Sequence, residues 1–262
     1  MEKTIDLEIS GKHALITGGS RGLGKESAIS LGKEGVIVSI CGRGKEDLDK
    51  TVKELKDLGI SVSGHVADLS EKNSAKKLFD SSIEANGEID ILINNVGGSL
   101  GTSDILNSSM DEFSHVMDVN LWSAIKLMKL CIPNMKKNQW GRIVNIASIY
   151  GREFGGTAPY MTAKAAMIAA SKHASQTLAN TGVTVNSVAP GSILFKGGTW
   201  DKFIQNNSKE TVKNFIEKNL PMEKFGWPEP VGATVTFLCA NKSALITGVC
   251  INVDGGQSHN LY

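Results

Sequence analysis

Short β-rich runs alternate with longer helical runs along almost the whole chain, and this alternation is the feature that most constrains its fold. Seven runs rich in valine, isoleucine and leucine are typical of strands, and they cover 12–17, 36–41, 60–67, 89–95, 141–148, 183–189 and 248–253. Helical patterns cover 22–33, 45–58, 70–87, 110–135, 159–179 and 229–239. In the third of these helices, Ser70 is the expected N-cap and Gly87 the expected stop.

The predicted strands are nearly all apolar, as strands covered on both faces are. Alternating strands and helices imply right-handed crossovers and a parallel sheet. We therefore predict an α/β fold, a Rossmann-like doubly wound parallel sheet of about seven strands with helices on both faces, in three layers (αβα). A chain of 262 residues that is 41% hydrophobic is long enough for one large core, and no linker interrupts the pattern. We expect a single domain over 1–262.

Charge and cysteine usage narrow the classes of partner. The 28 basic and 27 acidic residues give a net charge of +1 and are spread along the chain, which argues against nucleic acid and anionic membranes. No apolar run reaches membrane-spanning length, and residues 1–10 lack the apolar core of a secretory signal. The four cysteines form no C-x-x-C pair, so we expect free thiols in the cytoplasm. The five histidines do not cluster, and no metal site is predicted.

The stretch TGGSRGLG lies between the first predicted strand and the first predicted helix. Gly18, Gly22 and Gly24 are spaced G-x-x-x-G-x-G. Glycines at such a turn let a pyrophosphate approach the backbone, and the free N–H groups at a helix N-terminus favour an anion. A tight turn without a ligand is the alternative. Because the turn lies in the first βα unit, we predict a dinucleotide site.

Two arginines bear on the choice of dinucleotide. The second strand ends at Gly42 and Arg43, and no acidic residue follows until Glu46. An acidic residue there would bind the ribose of NAD, whereas an arginine accommodates the extra phosphate of NADP. Arg21, inside the glycine turn, offers a second guanidinium. The alternative is that both are solvated surface charges. Their joint placement favours NADP(H) over NAD(H).

Ser148, Tyr160 and Lys164 form the candidate catalytic set. Ser148 ends the fifth strand, at the carboxyl edge of the sheet where α/β proteins bind ligands. Tyr160 and Lys164 are four residues apart on a predicted helix, so they share one face. A Tyr-x-x-x-Lys pair alone arises readily by chance, but its combination with the glycine turn is specific.

Taken in order, these motifs resemble those of the short-chain dehydrogenase/reductase family, including its 3-oxoacyl-[acyl-carrier-protein] reductase-like members. The resemblance runs from about Leu7 to Gly256. TGGSRGLG is similar to the family's cofactor turn, NNVG (94–97) to N-N-A-G, and the pair at 190–191 to its P-G turn. Asp68 resembles the acidic residue that holds the adenine, and Asn120 resembles the helix asparagine of the catalytic set.

The resemblance implies a site for each ligand. The implied cofactor contacts are Gly18, Ser20, Arg21, Gly22, Leu23, Gly24, Arg43, Asp68, Leu69, Asn94, Val96, Gly97, Tyr160, Lys164, Pro190, Gly191 and Ile193. Tyr160 is the implied acid/base, and Ser148 orients the substrate oxygen. Lys164 binds the nicotinamide ribose. Asn120 holds a water that links Lys164 to solvent, or simply bonds to the backbone.

The tyrosine must titrate easily to act as an acid/base. Lowering its pKa from about 10 to near 7 needs about 4 kcal/mol. One ammonium at ~4 Å, with an effective dielectric constant of ~20, supplies about that much. We therefore expect Lys164 to lower the pKa of Tyr160.

Three features depart from the family pattern. Ser148 and Tyr160 are twelve residues apart, whereas many relatives have thirteen. Phe195 stands where many relatives place a threonine that touches the carboxamide, which leaves the backbone at Ile193 for that contact. Val96 replaces an alanine on the cofactor floor.

The substrate is expected among Ser99, Tyr150, Phe154, Phe195 and Trp200. The segment over about 192–227 is long for a connection, and we predict a substrate lid there. The alternative is that its aromatic residues only pack the small helices.

The resemblance implies an enzyme that moves a hydride between nicotinamide and a carbonyl or secondary alcohol. A 3-oxoacyl thioester, a sugar or polyol, and a ketosteroid are all candidate substrates. A non-catalytic NADP(H)-binding sensor is the alternative from another class. The family also implies a homotetramer, or a dimer, with the helical patterns at 110–135 and 159–179 in the main interface.

Overall fold

The computed structural model describes residues 6–261 and contains a seven-stranded sheet in which every pair of neighbouring strands is parallel. The strands are β1 (His13–Ile16), β2 (Ile37–Gly42), β3 (Val62–Val66), β4 (Ile91–Asn94), β5 (Gly141–Ile146), β6 (Val183–Pro190) and β7 (Cys250–Val253). Their order across the sheet is β3-β2-β1-β4-β5-β6-β7. The chain therefore winds outward from β1 in one direction and from β4 in the other, as predicted.

Helices cover both faces of the sheet. They are α1 (Gly22–Lys33), α2 (Lys45–Asp57), α3 (Ser74–Asn86), α4 (Met110–Met117), α5 (Ser123–Lys137), α6 (Ala158–Leu178), α7 (Thr199–Asn206), α8 (Lys209–Asn219) and α9 (Pro228–Cys239). One buried cluster joins the sheet to α1 and α9 through Leu31 and Val235. A second joins the opposite face to α3 and α5 through Leu78 and Leu127. The three-layer prediction is confirmed.

Two of the predicted helices differ from the observed ones by more than one residue. The third helix begins at Ser74 rather than after Ser70, because Ser70 donates from its N–H and its hydroxyl to Asp68 Oδ1 instead, at 3.0 and 2.7 Å. Gly87, with φ 79°, ends the helix as expected. The long pattern at 110–135 is interrupted by a π-helical turn at Asp118–Trp122, which separates α4 from α5.

The fold brings together the segments that carry the candidate site residues. In a parallel sheet all strands end at the same edge, and the direction of winding changes between β1 and β4, so a crevice opens there. The segments after β1 to β6 carry nearly all of the candidate site residues. Among the described residues, no helix is both long and apolar enough to cross a membrane.

Candidate active site

The glycine turn after β1 is shaped by close backbone contacts. Gly18 and Gly22 have φ values of 64° and 56°, a conformation that favours glycine. A Cβ on Gly24 would lie 2.3 Å from Gly18 O and 2.5 Å from Asn95 Nδ2. α1 begins at Gly22, so its first N–H groups point out of this turn. The turn and the helix N-terminus fit the pyrophosphate of a dinucleotide.

Thr17 and Asn95 fix the floor of this turn, and neither was among the predicted site residues. The Thr17 hydroxyl accepts the backbone N–H groups of Asn95 and Val96, at 2.8 and 3.0 Å. Asn95 Nδ2 donates to the carbonyls of Thr17 and Gly18, at 2.9 and 3.1 Å. The N-N doublet after β4 was the available signal, but we assigned the cofactor contact to its first member.

Asn94 lies outside the cleft, in contrast to that assignment. It is the last residue of β4 and is 2% exposed, and its Nδ2 donates to Asn145 Oδ1 at 2.8 Å. Side chains alternate along a strand, so adjacent asparagines point in different directions. The first amide therefore joins β4 to β5, while the second holds the glycine turn.

One end of the cleft, where we expect the adenosine of a dinucleotide, carries Arg21, Arg43 and Asp68. Arg43 Nη1 lies 4.0 Å from Asp68 Oδ2. The hydrogen bonds from Ser70 hold the pKa of Asp68 below its usual value, and Arg43 contributes to the same shift. Both arginines are exposed, which leaves their guanidinium groups available to an anion.

Ser148, Tyr160 and Lys164 meet at the opposite end. The N–H of Tyr150 donates to Ser148 Oγ at 3.2 Å, and the Ser148 hydroxyl faces the Tyr160 phenol. Lys164 is 2% exposed, and its Nζ lies 2.8 Å from the carbonyl oxygen of Ile146 and 5.6 Å from the centre of the Tyr160 ring.

The charge balance of this set differs from our expectation. Burial raises the pKa of Tyr160, and the contact with Ser148 offsets part of that rise. Burial also lowers the pKa of Lys164 to about 7. Burial is thus the largest influence on the pKa of both groups, and Lys164 Nζ is directed at Ile146 O. Around neutral pH the phenol is protonated and is suited to donate a proton.

Asn120 is fully buried in the π-helical turn. Its Oδ1 accepts the N–H of Gly98 at 2.9 Å, and its Nδ2 donates to the carbonyls of Gly98 and Val116, at 2.9 and 3.0 Å. Both amide protons are therefore bonded to the backbone. In this arrangement Asn120 clamps the chain that follows β4 beside Lys164.

Gly97 sits at the meeting point of these groups. A Cβ at this position would lie 2.5 Å from Asn120 Oδ1 and 2.9 Å from Lys164 Nζ. The absence of a side chain is what allows the backbone after β4 to pass so close to both.

The five expected substrate residues divide into two groups. Ser99, Phe195 and Trp200 line the cleft. Phe195 packs its ring over Gly22, whose Cβ would lie 2.6 Å from that ring. Tyr150 lies outside the cleft lining because its ring packs against the loop glycines at 155 and 156. Phe154 also lies outside it and is 94% exposed.

The segment predicted as a lid contains two helices, α7 and α8, joined by an aromatic cluster. Trp200 contacts Phe203, Phe215 and Phe225 with ring centres 5.6, 4.8 and 5.3 Å apart. These aromatics therefore pack the small helices, and Trp200 also faces the cleft.

The cleft has a volume of about 860 Å³ and runs from Arg43 to Lys164. The predicted cofactor contacts that line it are Gly18, Ser20, Arg21, Leu23, Arg43, Asp68, Leu69, Val96, Gly97, Tyr160, Lys164, Pro190, Gly191 and Ile193. Gly22, Gly24 and Asn94 are not among the residues that line it, nor are Asn120 and Ser148, although Ser148 faces the lining residue Tyr160. His115 and Lys202 line the cleft and were not predicted, because neither belongs to a motif. Within residues 6–261, no group of three or more His, Cys, Asp or Glu side chains is placed to bind a metal ion.

Known proteins share this sequence pattern and this fold. The profile of the short chain dehydrogenase family matches residues 12–209. The 3-oxoacyl-[acyl-carrier-protein] reductase FabG of Staphylococcus epidermidis is 32% identical over 94% of this chain and 98% of its own. Among solved structures, a variant of actinorhodin polyketide ketoreductase with NADPH superposes with a TM-score of 0.88 at 30% identity, covering 95% of this chain and 98% of its own. A 7α-hydroxysteroid dehydrogenase complexed with NADH and 7-oxoglycochenodeoxycholic acid gives a TM-score of 0.88 at 28% identity, covering 98% of both chains.

These matches cover the glycine turn, the sheet and the helix that carries Tyr160 and Lys164. The chain belongs to the short-chain dehydrogenase/reductase family of oxidoreductases, which act on carbonyl and alcohol groups.

Proposed function

We propose that this protein is an NADP(H)-dependent oxidoreductase that interconverts a carbonyl and a secondary alcohol, with Tyr160 as the acid/base. One observation carries the proposal. Tyr160 and Lys164 line the same cleft as the glycine turn and the arginines at its far end, so one extended dinucleotide reaches both.

The protonated Tyr160 phenol donates its proton to the carbonyl oxygen during reduction. Ser148, whose hydroxyl faces this phenol, orients the same oxygen. Lys164 stabilises the phenolate left behind, because a buried ammonium interacts strongly with a nearby negative charge. A bound nicotinamide supplies or accepts the hydride.

Alcohol oxidation reverses the proton transfer, so Tyr160 must first lose its proton. Burial opposes that loss. The positive charge of Lys164, whose pKa is about 7, favours it. At neutral pH the protein without ligands therefore holds the phenolic proton that reduction consumes.

The preference for NADP(H) rests on Arg21 and Arg43. Both line the adenosine end of the cleft, and β2 ends without an acidic residue to bind a free ribose. The NADPH complex of the polyketide ketoreductase supports this preference. The steroid dehydrogenase structure contains NADH instead, so proteins of this fold bind either dinucleotide. The preference for NADP(H) in this chain therefore rests on the two arginines.

A 3-oxoacyl thioester is the substrate class we favour, since FabG is a 3-oxoacyl-[acyl-carrier-protein] reductase and matches nearly the full chain. The steroid dehydrogenase supports a ketosteroid as the alternative. A sugar or polyol carbonyl is a further alternative within the same chemistry. Leu100, Phe195 and Trp200 are among the residues that line the cleft and offer apolar surface to an acyl chain or a sterol.

We further propose a cytoplasmic homotetramer, or a dimer, with residues 192–227 acting as a lid over a single domain. Met110 and Trp122 support an interface on α4 and on the turn after it, because these large apolar side chains are 76% and 44% exposed. The free cysteines are consistent with a reducing compartment. Light scattering on the purified protein gives its oligomeric state.

The test is a panel of 3-oxoacyl thioesters, ketosteroids and sugar carbonyls, followed at 340 nm with NADPH and in parallel with NADH. We expect turnover with NADPH, and we expect Tyr160→Phe to lose at least 100-fold in kcat while NADPH still binds. Arg43→Ala should weaken NADPH about tenfold and leave NADH unchanged. Retained turnover in Tyr160→Phe would refute the acid/base assignment. NADPH binding with no turnover on any substrate would favour a sensor.

A further inference from the structure

The chain continues from the carboxyl end of β7 into a compact segment, residues 254–260, which we call the C-terminal strut. Asp254 organises it. Its Oδ1 accepts the N–H of Gly256 at 3.0 Å, and its Oδ2 accepts the N–H of Ser258 at 2.8 Å. These two bonds hold the strut in a tight turn directly behind the cleft.

One side of the strut holds the turn at 190–194, which lines the cleft through Pro190, Gly191 and Ile193. Gln257 Oε1 accepts the N–H of Ser192 at 2.7 Å, and both residues are buried, with 7% and 4% exposure. A Cβ on Gly191 would lie 2.6 Å from Gln257 Oε1 and 2.7 Å from Asp254 Cβ. The turn is therefore pressed against the strut.

The other side of the strut holds the loop between Ser148 and Tyr160. Glu153 Oε2 accepts three hydrogen bonds, from Ser258 Oγ at 2.9 Å, from the N–H of His259 at 2.9 Å and from the N–H of Asn260 at 3.0 Å. Hydrogen bonds to a carboxylate are stronger than those between neutral groups.

The same loop is also tied to β7, from which the strut begins. Arg152 Nη1 donates to the carbonyl of Cys250 at 3.0 Å and to Asn252 Oδ1 at 2.5 Å. The side-chain amide of Asn260 donates to the backbone carbonyl of Arg152. The strut and the loop therefore form one hydrogen-bonded unit.

We propose that Gln257 and Glu153 are positioning residues that fix the nicotinamide-side turn relative to the loop that follows Ser148. The strut and the strand β7 that precedes it are bonded to both, since the carbonyl of Val253 also accepts the N–H of Gly191 at 3.2 Å. This inference rests on the proposed function, since it concerns the distance between the hydride donor and the substrate oxygen. Displacements of about 1 Å in such a geometry cost about 100-fold in rate.

The first experiment compares two ligands that reach different parts of the cleft. Calorimetry measures the binding of NADP⁺, which spans the cleft, and of adenosine 2′,5′-bisphosphate, which reaches only the adenosine end. Gln257→Met removes the acceptor oxygen at similar side-chain length. We expect it to weaken NADP⁺ about tenfold, which is ~1.4 kcal/mol, and to leave the bisphosphate within twofold. Gln139→Met, at an exposed position between α5 and the start of β5, is the matched control and should change neither.

The second experiment uses Glu153→Ala with a substrate identified in the panel. We expect kcat/KM for the carbonyl to fall about tenfold while the Kd of NADP⁺ stays within twofold. Glu153→Gln keeps one acceptor oxygen and should recover most of the activity.

Three results would overturn the inference. If Gln257→Met weakened both ligands equally, its role would be general stability. If it weakened neither, the bond to Ser192 would have no effect on the cofactor. Loss of NADP⁺ affinity in Glu153→Ala would contradict the separate roles. Failure of the wild-type protein to bind either NADP⁺ or NAD⁺ is a distinct outcome, because it would refute the proposed function itself and the inference with it.

Discussion

Replacing Gly97 by alanine tests the geometry of the catalytic set with a single methyl group. The added Cβ would lie 2.5 Å from Asn120 Oδ1 and 2.9 Å from Lys164 Nζ, both closer than non-bonded atoms approach. Neither neighbour moves freely. Asn120 is held by the backbone N–H and carbonyl of Gly98, and Lys164 is held by the carbonyl of Ile146. Relief of the contact must therefore displace a group of the site.

The size of the effect follows from these distances. Restoring ordinary contacts requires shifts of about 0.5–1 Å, and a misplacement of about 1 Å costs about 100-fold in rate. Gly97 itself is exposed, but its neighbours Asn120 and Lys164 are buried, and crowding them costs about 2 kcal/mol, which lowers the Tm of a protein of this size by about 4–8 °C. For Gly97→Ala we therefore expect kcat to fall about 100-fold and Tm to fall by several degrees.

Gly98→Ala is the matched control. A Cβ at Gly98 would have Leu100 Cδ2 as its nearest contact, at 4.0 Å, which is an ordinary separation. Neither glycine has a positive φ, so the backbone accepts alanine at both positions. Steady-state kinetics and thermal melts of the two variants then report the local contacts alone. Equal activity and equal Tm in the two variants would refute the placement of Asn120 and Lys164 beside Gly97.

Two further predictions concern stability. Thr17→Val leaves the N–H groups of Asn95 and Val96 without their acceptor, so urea denaturation should show a free energy of unfolding lower by about 2 kcal/mol. Thr17→Ser keeps the hydroxyl, and an equal decrease in that variant would contradict this explanation. Burial lowers the pKa values of His13 and His65, so the folded protein binds fewer protons than the unfolded chain below about pH 6.5. The free energy of unfolding should therefore be highest above that pH and should decrease as the pH falls toward 5. In the His13→Gln variant this decrease should be less steep. A free energy that rises on acidification would show the opposite linkage.

Local patterns predicted the fold well, because β1, β2, β4, β5 and β6 are almost wholly buried and are mostly apolar, whereas only the edge strands β3 and β7 are partly exposed. The glycine turn was equally predictable, because Gly24 lies so close to Gly18 O that no side chain fits there. Asn94 and Asn95 were harder to separate. Which of two adjacent amides faces the cleft depends on where β4 ends and on which face its last side chain lies, and the apolar run does not fix that residue.

The tyrosine's electrostatics were not predictable from spacing either. Four residues on a helix place Tyr160 and Lys164 on one face, but the strength of their interaction depends on burial and on other partners. The carbonyl of Ile146 lies on β5 and binds Lys164 Nζ, and burial lowers the pKa of that lysine to about 7. An estimate that treats the ammonium as a fixed charge beside the phenol omits both effects.

The contacts of the C-terminal strut could not be predicted from the sequence, because they join residues that lie far apart along the chain. Gln257 and Ser192 are 65 residues apart, and Glu153 and Ser258 are 105 apart, so no local pattern joins them. Gln257 was outside every motif, and Gly191 was assigned only to the cofactor. Gly191 lines the cleft on one side and packs against the strut on the other, where a side chain would collide with Gln257 and Asp254. A glycine in a binding turn can therefore be required by the second layer of the protein as much as by the ligand. In this chain that second layer is the segment that follows the last strand.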